Sequence, residues 1–316
     1  MDWIEGYEEE MVLVFAEAEE ETSAYPVPLR EPGLAFLSRF KPRDNGPGTN
    51  YICFLLPAWL QKETGSPDRL VRDLAVGNAF AMLHFFLLDD VMDAPDPLKI
   101  RQALALGQLF QDSFRGRYGR HFPAESPLWS YYERYLAMWA VSVAREGEAP
   151  ANPRDPGGLA AKSSPVKLCA AGMLSLAGLP ERIPGMEAAI DLALATLQLA
   201  DDWADWKEDL AEGGERRNAF LALVREALAL TPGQPLEEAA VLKAIYRGGA
   251  LNKLAELAEE HGERIASLRD APSPLRSFQR TILGGIRRDA KKAADMTSGI
   301  GKGDLFSIIL TNSEKI

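Results

Sequence analysis

The chain has 316 residues, 47% of them hydrophobic, enough to bury a large core, and its apolar residues are spread so evenly that a single domain over 1–316 is expected. A formal net charge of -11 leaves no basic footprint for a nucleic-acid backbone, so nucleic acid is excluded as a partner. So much acid is compatible with an anionic partner only where divalent cations stand between them.

The opening residues, MDWIEGYEEE, carry acid where a leader would need base. No apolar run reaches bilayer-spanning length, and a cytoplasmic protein without a stable membrane span is expected. Apolar residues recur at helical spacing through most of the sequence, with no alternating β-branched run bounded by turns, so the fold class reads as all-α. The spacing predicts helices over about 3–22, 50–64, 68–92, 98–115, 127–147, 160–178, 185–210, 217–230, 236–264 and 273–296. KPRDNGPGT, from Lys41 to Thr49, and APANPRDPGG, from Ala149 to Gly158, read as long surface loops of the kind that supply lids. Ser126 before Pro127 marks a helix start, and Pro180 and Pro184 bracket a turn. Cys53 and Cys169 lie in apolar stretches without metal-ligand spacing and read as core residues.

Two acidic clusters carry the chemistry. The first closes an intensely apolar helix: His84, Phe85, Phe86, Leu87 and Leu88 run directly into Asp89, Asp90, Val91, Met92 and Asp93. Asp89 and Asp93, four apart, share a helical face, and carboxylates at a helix C-terminus oppose its dipole, so this cluster calls for a compensating cation. The second, Gln198, Leu199, Ala200, Asp201, Asp202, Trp203, Ala204, Asp205, Trp206, Lys207, Glu208, Asp209, lies inside a predicted helix. Asp201, Asp205 and Asp209 fall at i, i+4 and i+8 on one face, where they repel one another. If the two helices pack nearly antiparallel in a bundle, the carboxylates face one cavity and hold magnesium with a diphosphate between them.

In DDVMD, and in the order and spacing of the second cluster, residues 75 to 215 resemble the class I isoprenoid synthases, which include trans-prenyl diphosphate synthases and class I terpene cyclases. Asp89 to Asp93 match the family's DDxxD. Gln198 with Asp201, Asp202 and Asp205 is similar to the second prenyl synthase motif; Asp201, Asp205 and Asp209 match the three-ligand spacing of the cyclases. Lys162 and Ser163, before LCAAGMLSLAG, resemble the family's diphosphate-contacting lysine-threonine element. The resemblance implies a single-domain helical bundle with a central apolar active-site cavity, a habit of homodimers, and three Mg2+ ions held by Asp89, Asp93, Asp201, Asp205 and Asp209. It further implies catalytic roles for Asp90 and Asp202, and loss of diphosphate from a prenyl diphosphate substrate to leave an allylic cation. Phe85 and Phe86 are placed to stabilise that cation through their ring faces, and Arg154 and Arg288 are candidate diphosphate contacts.

Chain elongation requires a second anionic site, which the family builds from GGKRxRP and a later arginine pair. Here the corresponding segments offer Lys41 and Arg43, then Lys99 and Arg101. The expectation is therefore a cyclase, with a prenyltransferase as the alternative. A helical nucleotide pyrophosphohydrolase uses mainly glutamates and polar base recognition, and a non-catalytic subunit would tolerate loss of the aspartates, all of which are present.

Overall fold

The computed structural model describes residues 3–41, 49–93, 97–231 and 233–298. All regular structure among them is helical, as the periodicity predicts. In chain order the α-helices are α1 (Glu8–Ser23), α2 (Arg30–Ser38), α3 (Ile52–Thr64), α4 (Asp68–Asp93), α5 (Pro97–Gly119), α6 (Leu128–Ala144), α7 (Pro156–Ala160), α8 (Leu168–Leu176), α9 (Ile183–Ala204), α10 (Trp206–Ala211), α11 (Ala219–Ala227), α12 (Glu238–Tyr246), α13 (Ala250–Ser267) and α14 (Ser273–Ser298). The chain divides into two compact units. The first comprises Met1–Trp139, Ser163–Ala188 and Asp270–Leu275; the second comprises Ala140–Lys162, Ala189–Arg269 and Arg276–Ile316.

In the first unit α4 is the central element, with α5 along one side, α3 along another, and α1 and α8 against it. Every α4 residue from Leu74 to Phe85 is buried, because the sequence is apolar all round rather than on one stripe. Gly77 is what lets α5 come so close: a Cβ there would lie 2.8 Å from the ring of Tyr118. α4 and Pro180–Ala204 are both long and apolar enough to cross a membrane, which corrects the expectation that no run reaches that length; 72% of the α4 window is instead buried inside the protein.

Asp73, Asn78 and His84, the buried polar side chains of α4, each make hydrogen bonds. Asp73 accepts from Arg117 (3.0 Å), Arg120 (2.6 Å) and His121 Nε2 (2.9 Å). Burial alone would raise its pKa, but these donors outweigh it and the net shift is downward. His84 Nδ1 donates to the Gly107 carbonyl at 2.8 Å, which fixes the neutral tautomer, while burial lowers its pKa. Asn78 serves the neighbouring helix. Pro57 lies inside α3 and lacks the N–H that would bond to the Cys53 carbonyl four residues back, and Asn78 Nδ2 donates to that carbonyl at 2.7 Å.

The second unit buries Leu199, Phe220, Val224, Val241, Leu254 and Ile286 in one core. Thr196, His261 and Gln279 are buried there too. Gln279 Nε2 donates to the Ala258 carbonyl (2.7 Å) and to Thr196 Oγ1 (3.3 Å), which lies 3.2 Å from His261 Nδ1.

The helix boundaries depart from expectation in five places, the first being α1, expected from residue 3 but beginning at Glu8. α2 was not anticipated; its Pro32 sits in the first turn, where no amide donor is needed. The helix expected over 236–264 is two, broken at Gly248 and at Gly249, whose φ is 71°. The stretch expected over 160–178 begins as the short α7 and a 3-10 turn over Ala161–Lys167. The helix expected over 185–210 bends at Asp205, between α9 and α10, where φ is -100° and ψ 2°. The bend keeps its hydrogen bonds, Asp205 N to Asp201 O and Asp209 N to Asp205 O, both at 2.9 Å.

Candidate functional site

The first acidic cluster occupies the last turn of α4. At 100° per residue, Ala79, Leu83, Phe86, Asp90 and Asp93 form one stripe about 80° wide, with Asp89 about 40° beyond its edge. Phe86 and Leu83 line a small apolar cavity with Ala79, Phe15, Phe40 and Phe54. The cavity volume is about 10 Å³, on a measure by which one water needs about 10–15 Å³. The aspartates thus continue the stripe of α4 that walls this cavity. Phe85 points elsewhere: it is buried against Trp139 (4.9 Å between ring centres) and the His84 ring (5.2 Å). Asp90 is exposed and accepts from Arg39 Nη1 at 3.1 Å; Asp89 is half-buried and Asp93 exposed. Of the loop Lys41 to Thr49, residues 42–48, including Arg43, lie outside the described residues; Lys41 pairs with Glu19.

In the second unit, Asp201 is half-buried at the end of α9. Burial, then the charges of Asp205 and Asp202, push its pKa up to about 7. The Asp205 carboxyl is raised as well, by burial and by Asp209. Asp202 and Asp209 do different work. Asp202 accepts from the Ala219 N–H (2.6 Å) and from Gln198 Nε2 (2.7 Å), and burial still raises its pKa to about 6. Asn218 caps α11 by accepting from Leu221 N (2.8 Å), and its Nδ2 donates to the Asp202 carbonyl and to Asp209 Oδ2, each at 2.7 Å. Gln198, Asp202 and Asp209 therefore fasten the start of α11 to α9 and α10.

No family model matches the chain, and no curated protein matches it.

Among the described residues no group of three or more His, Cys, Asp or Glu side chains is placed to hold a metal ion. By their spacing of four residues the candidate donors come as pairs, Asp89 with Asp93 and Asp201 with Asp205. Such pairs fit magnesium, which commonly takes one or two carboxylates and completes its shell with water and phosphate oxygens. The raised pKa of Asp201 comes first from burial and then from the charges of Asp205 and Asp202.

The expected diphosphate contacts are spread out. Lys162 pairs with Glu146 at 2.7 Å. Arg154 makes two 2.7 Å bonds to Glu226, and Ala151 N bonds to the Arg216 carbonyl at 2.7 Å, so the loop read as a lid is pinned down within its unit. Arg288 is exposed on α14, beside Arg287, which pairs with Glu259.

Three residues escaped the sequence reading. Asn218 was legible as a helix cap before AFLALV. Arg39 had only the basic run RFKPR to recommend it. Lys167, 2% exposed, has its Nζ 5.1 Å from the Tyr135 ring centre, and its one sequence signal is a lysine set against LCAAG.

Proposed function

We propose that the chain is a Mg2+-dependent class I terpene synthase of the isoprenoid synthase fold, which ionises an allylic prenyl diphosphate and cyclises the resulting carbocation. The observation that carries this reading is the stripe on α4, where Asp90 and Asp93, flanked by Asp89, directly follow residues that wall an apolar cavity. A substrate with an anionic head and an aliphatic tail has that polarity. Asp89 and Asp93, and Asp201 with Asp205, are the carboxylates assigned to magnesium, and Asp202 and Asp209 support the fold. Bound magnesium supplies Lewis-acid stabilisation of the leaving diphosphate.

In the reaction the C1–O bond breaks with its electron pair on the diphosphate, and an internal double bond attacks the allylic cation. The cyclic cation that results loses a proton to the released diphosphate to give hydrocarbon, or takes one water and then loses a proton to give alcohol. The protein's own part is to orient the tail along apolar walls, exclude water, and offer the Phe86 ring face to positive charge without a nucleophile. Lys162 exchanges Glu146 for diphosphate oxygen.

The test is incubation of purified protein and Mg2+ with geranyl, farnesyl and geranylgeranyl diphosphates, each with and without isopentenyl diphosphate, followed by mass spectrometry of extracts. Cyclic hydrocarbon or alcohol formed without the isopentenyl partner is the expected result. A longer prenyl alcohol, seen only with that partner and after phosphatase, makes the protein a prenyltransferase. Failure to release diphosphate from any substrate sinks both.

A further inference from the structure

The end of α2 grips α4 at two adjacent points. Arg39 donates to Asp90, and the next residue, Phe40, lies face to face on Phe86, with 5.0 Å between ring centres and 2° between planes. Phe86 and Asp90 are one turn apart on α4, so the polar and the apolar contact close the same spot. Phe40 and Phe86 both wall the apolar cavity, and Ala79, Leu83 and Phe54 stand deeper in it. At about 10 Å³ the cavity holds no chain, so an aliphatic ligand enters only if lining side chains part, and Phe40 and Phe86 are half-buried rings among them.

The grip is suited to letting go. Phe40 and Phe86 are half-buried, so each has a solvent side to turn towards. The side chains of Arg39 and Asp90 are 58% and 50% exposed, and water competes with an ion pair so placed. Arg39 also hangs over the Phe36 ring, 5.0 Å from its centre, which keeps the guanidinium near the acidic end of α4 when it leaves Asp90. An anion arriving there meets a guanidinium whose planar fork suits phosphate oxygens better than one monodentate carboxylate contact does.

We propose that Arg39 and Phe40 form a latch and a door over a site for an aliphatic chain bearing a diphosphate head: the head draws Arg39 from Asp90, and the chain displaces Phe40 from Phe86. This rests on the reading above and deepens it, making Arg39 an anion contact and the Phe40–Phe86 stack the entry point of the tail.

Two probes separate chain from head: farnesol, and a farnesyl thiodiphosphate that resists ionisation, given with Mg2+. Binding of each to the full chain is followed by stopped-flow tryptophan fluorescence and by calorimetry, for wild type, Arg39→Gln, Phe40→Ala and Ala79→Trp. Leu83→Trp serves as a second cavity-filling variant, and circular dichroism confirms that each is folded. Phe40→Ala is expected to speed farnesol association about tenfold. Arg39→Gln is expected to speed it about threefold and to weaken farnesyl thiodiphosphate about tenfold. The tryptophan variants are expected to lose both ligands. The proposal is overturned if wild type binds neither probe, if folded tryptophan variants bind farnesol as wild type does, or if Arg39→Gln and Phe40→Ala change nothing. Should these binding changes occur in a protein that turns over no prenyl diphosphate, the latch stands and the cyclase reading falls. Turnover with all variants unchanged gives the reverse.

Discussion

Removing the Asn78 side chain should expose how α3 tolerates a proline in its middle. Asn78→Ala takes away the donor that reaches the Cys53 carbonyl in place of the missing Pro57 N–H, among the buried apolar residues Phe54 to Trp59 of α3 and Leu74 to Leu83 of α4. A buried acceptor left unpaired costs about 1–3 kcal/mol, and the lost side-chain volume adds to it. Asn78 Oδ1 is itself buried without a partner, so its deletion returns part of that cost. We expect a net loss of about 2 kcal/mol, read from urea unfolding followed by circular dichroism. Pro57→Ala restores an N–H four residues beyond Cys53, and in that background Asn78→Ala should cost about 1 kcal/mol less, because the carbonyl now has a helical donor. A double-mutant cycle whose two sides agree within about 0.3 kcal/mol would refute the substitution of side-chain amide for backbone amide.

Other predictions follow from the second unit. His261 has its pKa lowered to about 4 by burial, then by Arg264; the folded protein stays neutral there while the unfolded chain binds a proton below about pH 6.5. The contribution is thus full above 6.5 and declines as pH falls towards 4, by roughly 2–3 kcal/mol at pH 4.5; urea midpoints of His261→Gln should lack that share of the acid loss. Asp201→Asn removes a crowded carboxylate and should stabilise the metal-free protein at pH 8 by roughly 1–3 kcal/mol while abolishing diphosphate release; a lower melting temperature would count against the crowding argument. Asn218→Ala deletes the α11 cap and two further bonds and should cost roughly 2–4 kcal/mol in chemical unfolding; a loss under about 1 kcal/mol would mean that water replaces those bonds.

The fold was legible where period and punctuation agree. α4 and α14 begin and end close to where the apolar spacing and the aspartate run placed them, because long periodic stretches leave little choice. Expectation failed where the effect of punctuation depends on position: no helix was expected around Pro32, which lies in the first turn of one, and a single helix was expected over 236–264, which the two glycines after Arg247 split. The site divided along a different line. That Asp201 is crowded follows from helical spacing, which the bend at Asp205 preserves through its hydrogen bonds. That Asp202 and Asp209 are spoken for by Asn218 and Ala219 depends on how α11 returns against α9, a tertiary choice no short window carries. Arg39 is in the same position, 51 residues from the aspartate it meets.

The knot around Asn218 changes what the presence of a motif means. A descendant without the proposed chemistry would still be selected to keep Asp202, Asp209 and Asn218, since helix α11 hangs from them. Of the aspartates in that second cluster, Asp201 and Asp205 would be the ones released to drift. An intact-looking acidic string is therefore a poor witness to activity in this fold, and the two crowded carboxylates are the positions at which a dead copy would first give itself away.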